Sequence, residues 1–264
     1  METTSQKVLG SEVSEEGICT LSLNRPEAMN SLNGELLEAL RKKFYELRFD
    51  ETVRVVILTG GEGPAFCAGA DLKERREMSE ANVRKRIEDY GFVFNLIESL
   101  PKPVICVING YAFGGGLELA LACDLRIVAA DTRIGLTELQ LGIIPGAGGT
   151  QRLPRLIGAA RAKELIFTAA RISGREAEVL GIANYAVPLE DLKDRAESLA
   201  SQMLRSAPIA LAQAKRAIDT GRDVDLQSGL QIEKACYAVT LPTEDRLEGL
   251  AAFKEKRKPN FKGK

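Results

Sequence analysis

The sequence predicts an α/β core followed by a helix-dominated C-terminal part, and three observations carry that prediction. Short apolar β-type runs alternate with helical patterns up to about residue 150. From Leu156 onward helical patterns dominate. No linker rich in Pro, Gly or Ser separates the two halves, and 264 residues are enough for a full core. Strands alternating with helices imply a parallel sheet joined by helical crossovers.

Residues 7–9 and 17–24 (GICTLSLN) read as two strands around an acidic turn at 14–17, closed by Asn24-Arg25-Pro26. Leu36, Leu37, Leu40, Phe44 and Leu47 recur at helical spacing and predict a helix over 33–49. VVILT at 55–59 is a short buried strand that runs into a loop rich in glycine and alanine. An amphipathic helix over 80–99 stops ahead of Pro101. VICVI at 104–108 is the next strand. It continues through Asn109-Gly110 and the run Gly114, Gly115, Gly116 into an apolar helix over 114–123. A strand at 125–129 follows, then a short helical piece near Glu138 and a second glycine loop at 145–149. Ser173 and Glu176 fit a capping box. Helices are predicted at about 190–205, 208–220, 224–240 and 243–254. Their apolar faces fit packing on a neighbouring subunit and packing within the chain equally well.

Composition removes several classes of chemistry. The chain contains no histidine, which excludes Ser-His-Asp and Cys-His catalysis and the commonest metal ligand. Acid–base work then falls on carboxylates, Lys, Tyr or Cys. The five cysteines are scattered without a C-x-x-C pair, so neither a zinc site nor a disulfide framework is expected. A net charge of −1 gives no nucleic-acid footprint. No apolar run is long enough to span a bilayer. The first sixteen residues are polar and acidic, with neither a signal core nor an Arg-rich amphipathic pattern, and the expectation is a cytoplasmic protein.

Two glycine-rich loops, FCAGAD at 66–71 and FGGG at 113–116, each follow a short buried strand. Each alone fits a tight turn equally well. If the strands are neighbours, both loops emerge at one sheet edge, and an N–H from each forms an oxyanion hole beside a helix N-terminus. Neither loop is a P-loop or a dinucleotide fingerprint. Glu118 and Glu138 both sit among apolar neighbours, where a carboxylate's pKa can rise into a range suited to proton transfer. Singly, each fits a solvent-facing or ion-paired carboxylate slightly better. Jointly, with two donor loops and no histidine, an acid–base pair is favoured. Paired carboxylates also describe a glycosidase, but 5% aromatics and no Trp make a sugar platform unattractive. The basic residues Lys73, Arg75, Arg76, Arg257, Lys258, Lys262 and Lys264 could face a phosphate-bearing ligand, although a solvated face is the commoner outcome.

The motifs Asn24-Arg25-Pro26 with Asn30, FCAGADLKE at 66–74, NGYAFGGGLE at 109–118 and PGAGGTQRLP at 145–154 resemble the enoyl-CoA hydratase/isomerase (crotonase) family over nearly the whole chain. The C-terminal stretches 235–238 and 245–257 look closest to the branch that contains 3-methylglutaconyl-CoA hydratase. Leu136-Thr137, where many hydratases have Gln-Pro, points the same way. The resemblance implies a spiral of ββα units: a core over residues 1–200 and a helical trimerisation region over 201–264. It implies a homotrimer or a hexamer built as a dimer of trimers. By the same resemblance, Ala68 and Gly115 N–H groups form the oxyanion hole, Glu118 activates water and Glu138 delivers a proton to Cα. Ala68, Gly69, Ala70 and Asp71 match the CoA-contacting loop. Gly146 helps position water, and Phe253 and Lys256 reach CoA, in many relatives from a neighbouring chain. The substrate is an acyl-CoA thioester, with no metal and no separate cofactor. The reaction implied is reversible syn hydration of a 2-enoyl-CoA in fatty-acid β-oxidation; methylglutaconyl-CoA hydration, isomerisation, dehalogenation and thioester hydrolysis are the alternatives. One member of the branch also binds AU-rich RNA through a lysine-rich helix. The matching helix here balances Arg41, Lys42, Lys43 and Arg48 against Glu35, Glu38, Glu46 and Asp50, so RNA binding is not expected.

Overall fold

The structure, a computed structural model, describes residues 8–264; residue 7, the predicted start of the first strand, lies outside them. The chain opens with a hairpin, β1 (Leu9–Val13) and β2 (Ile18–Leu23), antiparallel in the register Leu9↔Leu23. A 3-10 turn (Pro26–Ala28) leads to α1 (Gly34–Phe49), which Asn33 caps by accepting the Leu36 N–H at 2.9 Å. The four leucines and the phenylalanine that predicted this helix are all buried.

Three successive units then repeat one plan. β3 (Val55–Thr59) and β4 (Ala65–Cys67) precede α2 (Leu72–Arg76) and α3 (Glu80–Glu98). β5 (Val104–Ile108) and β6 (Tyr111–Phe113) precede α4 (Gly115–Leu121). β7 (Leu125–Ala129) and β8 (Arg133–Gly135) precede α5 (Gly149–Ile157) and α6 (Ala159–Phe167). The first strand of each unit joins one sheet, ordered β1-β2-β3-β5-β7. The second joins another, ordered β4-β6-β8. This is a spiral of ββα units. β9 (Ile172–Ser173) closes the smaller sheet and, after α7 (Gly174–Val179), β10 (Tyr185–Val187) closes the larger one. The chain ends with α8 (Leu192–Met203), α9 (Pro208–Gly221), α10 (Leu226–Thr240) and α11 (Glu244–Glu255).

Strand alternation divides the core. Val56, Leu58, Val104, Cys106, Ile108 and Val128 point to one face, where α1, α3 and α4 pack. Val55, Ile57, Ile105, Val107, Ile127 and Ala129 point to the other, covered by Leu192, Ala196 and Ala200 at i, i+4 and i+8 of α8. Both faces are covered, which is why β3 and β5 read as continuous apolar runs.

The sequence missed the small strands. β4, β6, β8 and β10 have three residues each and β9 has two, too few for periodicity to register. The first strand lies at Leu9–Val13, later than 7–9, because its Gly10-Ser11-Glu12 stretch is an exposed edge without apolar alternation. A helix, α5, already begins at Gly149, ahead of the predicted Leu156.

Candidate active site

β3 and β5 are parallel neighbours, paired Val56↔Val104 through Thr59↔Val107, so their continuations leave the same sheet edge. The next strands, β4 and β6, pair directly, and the two glycine loops stand side by side beyond them. Two backbone features make the approach possible. Gly114 has φ 52 and ψ −125, a conformation open to glycine alone. A Cβ on Gly116 would sit 2.0 Å from the Cys67 carbonyl oxygen, so the first turn of α4 lies directly on β4.

A cleft of about 290 Å³ opens there. It brings together Ala68, Gly69, Ala70, Gly115, Glu118, Glu138 and Gly146, as the sequence expected. The donor loop differs in one detail. The Ala68 N–H is spent on the Met29 carbonyl at 3.0 Å and cannot serve an oxyanion. Among the described residues, no acceptor within the protein takes the Ala70 or the Gly115 N–H. These two nitrogens are close: a Cβ on Gly115 would lie 3.6 Å from Ala70 N, and one on Gly69 would lie 3.4 Å from Gly115 N. The donor pair that the geometry offers is therefore Ala70 and Gly115, the latter at the start of α4.

Asp71 does not line this cleft. Its carboxylate accepts from Arg25 Nη2 at 3.1 Å and Ser31 Oγ at 3.3 Å, and it caps α2 through the Lys73 and Glu74 N–H groups. It is a tie for the donor loop. Phe253 and Lys256 do not reach the cleft of their own chain either; Phe253 is 87% exposed on α11.

The two carboxylates sit in unlike surroundings. Glu118 is buried in the first turn of α4, and its Oε1 accepts the Ala147 and Gly149 N–H groups, both at 2.8 Å. Burial pushes its pKa up, while those two donors and the Arg152 charge oppose the rise. Glu138 opens the 3-10 turn Glu138–Leu141 and is buried too, but its Oε2 has no hydrogen-bond partner. Burial first, and then the neighbouring Glu118 charge, push its pKa up to about 7. One carboxylate is thus held by donors and the other is short of them, an arrangement that separates a base from an acid.

Several cleft residues escaped the sequence reading. Tyr90, whose hydroxyl donates to the Leu32 carbonyl at 2.8 Å, forms one wall. Arg75 and Arg171 stand at the lining, Arg171 with its guanidinium 4.9 Å from the centre of the Phe113 ring. Arg75 was visible only as one of several basic residues, and Arg171 carried no motif signal. Tyr111 is exposed and off the cleft, and Met78 lines a small hollow next to it.

A parallel α/β frame that sets two buried carboxylates beside two unspent N–H groups is an arrangement suited to acid–base chemistry. A sequence model of the enoyl-CoA hydratase/isomerase family matches residues 13–264. The chain belongs to that family and has the crotonase-like fold. It is 50% identical over 254 residues to the human enoyl-CoA hydratase domain-containing protein 2, mitochondrial, covering 95% of this chain and 87% of that one. It is 48% identical over 256 residues to human methylglutaconyl-CoA hydratase, mitochondrial, covering 96% and 76%. A crystal structure of an enoyl-CoA hydratase from Bacillus anthracis superimposes with a TM-score of 0.95 at 49% identity, over 97% of this chain and 100% of that one. Among the described residues no helix is long and apolar enough to cross a membrane.

Proposed function

We propose that the chain is an enoyl-CoA hydratase, adding water reversibly and syn to a 2-enoyl-CoA thioester to give a 3-hydroxyacyl-CoA. The observation that carries this reading is the pairing of a donor-held Glu118 with a donor-poor Glu138 across one cleft. In this reading the thioester oxygen accepts the Ala70 and Gly115 N–H groups. Ionised Glu118 takes a proton from water as its oxygen bonds to C3. Protonated Glu138 delivers its proton to C2 as the enolate collapses, so atoms and charge balance. One such oxyanion donor is worth about 2.7–4 kcal/mol of barrier. No metal or separate cofactor enters; coenzyme A is part of the substrate.

The test is product analysis on an acyl-CoA panel with Glu118→Gln and Glu138→Gln. Each variant should fold and lose about 10²–10⁴-fold in crotonyl-CoA hydration. Near-wild-type turnover in either removes its assigned role, and a product other than the 3-hydroxyacyl-CoA replaces hydration with another reaction of the fold.

A second reading is 3-methylglutaconyl-CoA hydration. Arg75 and Arg171 at the cleft favour it, because a guanidinium suits a second carboxylate on the acyl chain. The name of the human methylglutaconyl-CoA hydratase relative supports it as well. A kcat/KM for methylglutaconyl-CoA far above that for crotonyl-CoA would select this reading.

For assembly, the reading is a homotrimer or a pair of trimers, with residues 201–264 as the trimerisation region and residues 1–200 as the core. Exposed Leu226, Leu230, Tyr237, Leu247 and Leu250 support that, and Phe253 and Lys256 would then serve a neighbour's CoA. The cysteines are free and buried, which suits the reducing cytoplasm, whereas two human relatives are named mitochondrial; fractionation distinguishes the two. No RNA role is assigned: on α1, Arg41 is paired with Glu38 at 2.6 Å and Arg48 donates to Ser99.

A further inference from the structure

Glu118 does not hold its own position. It depends on the loop at 145–149, where the Ala147 and Gly149 N–H groups converge on Oε1. Glycine loops are mobile unless something ties them. Here the tie is Arg152, one turn into α5 and 9% exposed.

Every nitrogen of the Arg152 guanidinium is engaged. Nη1 donates to the Ala147 carbonyl at 3.0 Å. Nη2 donates to Asn95 Oδ1 at 2.8 Å and Glu98 Oε2 at 2.7 Å, and Nε donates to Glu98 Oε2 at 3.2 Å. Asn95 and Glu98 belong to α3, on the far side of the guanidinium from the loop. The planar fork therefore rivets the 145–149 loop to the last turn of a long helix. Gly148 shows how tight the seat is. Its φ is +107, and a Cβ there would lie 2.1 Å from Arg152 Nη1. Glu98 is in turn 3.7 Å from Arg222, which follows α9.

We propose that Arg152 is a positioning residue for Glu118, fixing through the Ala147 carbonyl the loop whose two N–H groups orient that carboxylate toward the cleft. The proposal rests on the hydratase reading only for its kinetic readout. The charged groups around Glu118 are Glu138 from the 3-10 turn and Arg152 from α5, with Glu98 of α3 and Arg222 behind Arg152. Removing the cation takes away a Coulomb interaction that favours ionised Glu118.

Arg152→Gln, Arg152→Lys and Glu98→Gln are compared with the wild type, after circular dichroism has shown which variants fold. Arg152→Gln should lose on the order of 10²-fold in kcat, with KM little changed. The acidic limb of its kcat/KM profile should move to higher pH. Arg152→Lys keeps the charge but not the fork, so it should restore the limb while kcat stays low. Glu98→Gln loosens the anchor from outside the cleft and should give a smaller loss of kcat. A folded Arg152→Gln with wild-type kcat, or an acidic limb that stays in place, overturns the proposal. If Arg152→Gln does not fold, Glu98→Gln with wild-type kcat does the same. A 13C-carboxylate NMR titration of Glu118, assigned by its loss in Glu118→Gln, needs no turnover. Its midpoint should rise in Arg152→Gln, and an unmoved midpoint overturns the proposal even if the substrate proves not to be an enoyl-CoA. Absence of hydration by the wild type overturns the hydratase reading alone.

Discussion

Glu138→Gln should stabilise the folded protein at alkaline pH while removing its activity. Glu138 is 8% exposed, with one carboxylate oxygen unpartnered and a like charge nearby, and its pKa is pushed up to about 7 from the ordinary 4.5. At about 1.4 kcal/mol per pH unit, that difference sets a ceiling of about 3.5 kcal/mol, which solvent screening at the open cleft lowers. The sign follows from proton counting. Between pH 4.5 and about 7 the folded chain binds this proton and the unfolded chain has released it. Wild-type stability therefore falls as pH rises through that window and stays reduced above it. Gln has the same shape and no charge to lose. The variant should match the wild type near pH 4.5 and exceed it by about 3 kcal/mol at pH 8. Urea unfolding at fixed protein concentration, run at both pH values, measures the difference. A gap that is equal at the two pH values, or a variant less stable than the wild type at pH 8, refutes the reasoning. A stability gain of this kind at a carboxylate with a proposed catalytic role is the trade-off expected where function needs an uncomfortable charge.

The remaining predictions concern the same cleft. On the proposed reading, the wild-type hydration rate should fall as pH rises through about 7, because Glu138 would then lose the proton assigned to it; a flat profile across that range removes it as the acid. Gly116→Ala forces a Cβ onto the Cys67 carbonyl and should cost about 1–3 kcal/mol, read by urea unfolding, together with most of the activity. Asp71→Asn keeps the α2 cap but loses the ion pair with Arg25. It should cost about 1–3 kcal/mol in unfolding measurements and raise KM by displacing Ala70.

What the sequence revealed and what it hid follow from range. β3 and β5 were legible because both faces of the large sheet are covered, leaving apolar runs, and β7 because only Arg126 interrupts its apolar residues. α1 and α3 announced themselves through helical spacing, with Asn33 and Ser79 as caps. The small sheet was invisible because its strands are two or three residues long and exist only through pairing between strands distant in the sequence, such as Ala65 with Tyr111 and Ala112 with Ile134. In the site, the carboxylates stood out as charges in apolar company. The choice between Ala68 and Ala70 as donor was not readable locally. It depends on which N–H the Met29 carbonyl captures, and that contact bridges 39 positions (68 − 29). The partners of Glu118 were hidden for the same reason. The second glycine loop was plain in the sequence, but nothing local said that two of its N–H groups meet a carboxylate some thirty residues upstream.

The proposed division of labour between the two glutamates follows from what each is given. Burial raises both pKa values, and the Glu118 charge raises that of Glu138 further. The proton of the pair therefore goes where the charge is less well served. Glu118 has two N–H donors at 2.8 Å and a guanidinium behind them, all of which favour the anion. Glu138 has a buried oxygen with no donor, which favours the neutral acid. The same geometry leaves Ala70 and Gly115 N–H groups unspent at the point where a thioester oxygen would gain charge. Both residues line the open cleft, and in the proposed reaction a bound enolate would supply the acceptor. Orphaned groups, elsewhere a defect, here sit together on one cleft, and a transition state is what completes them.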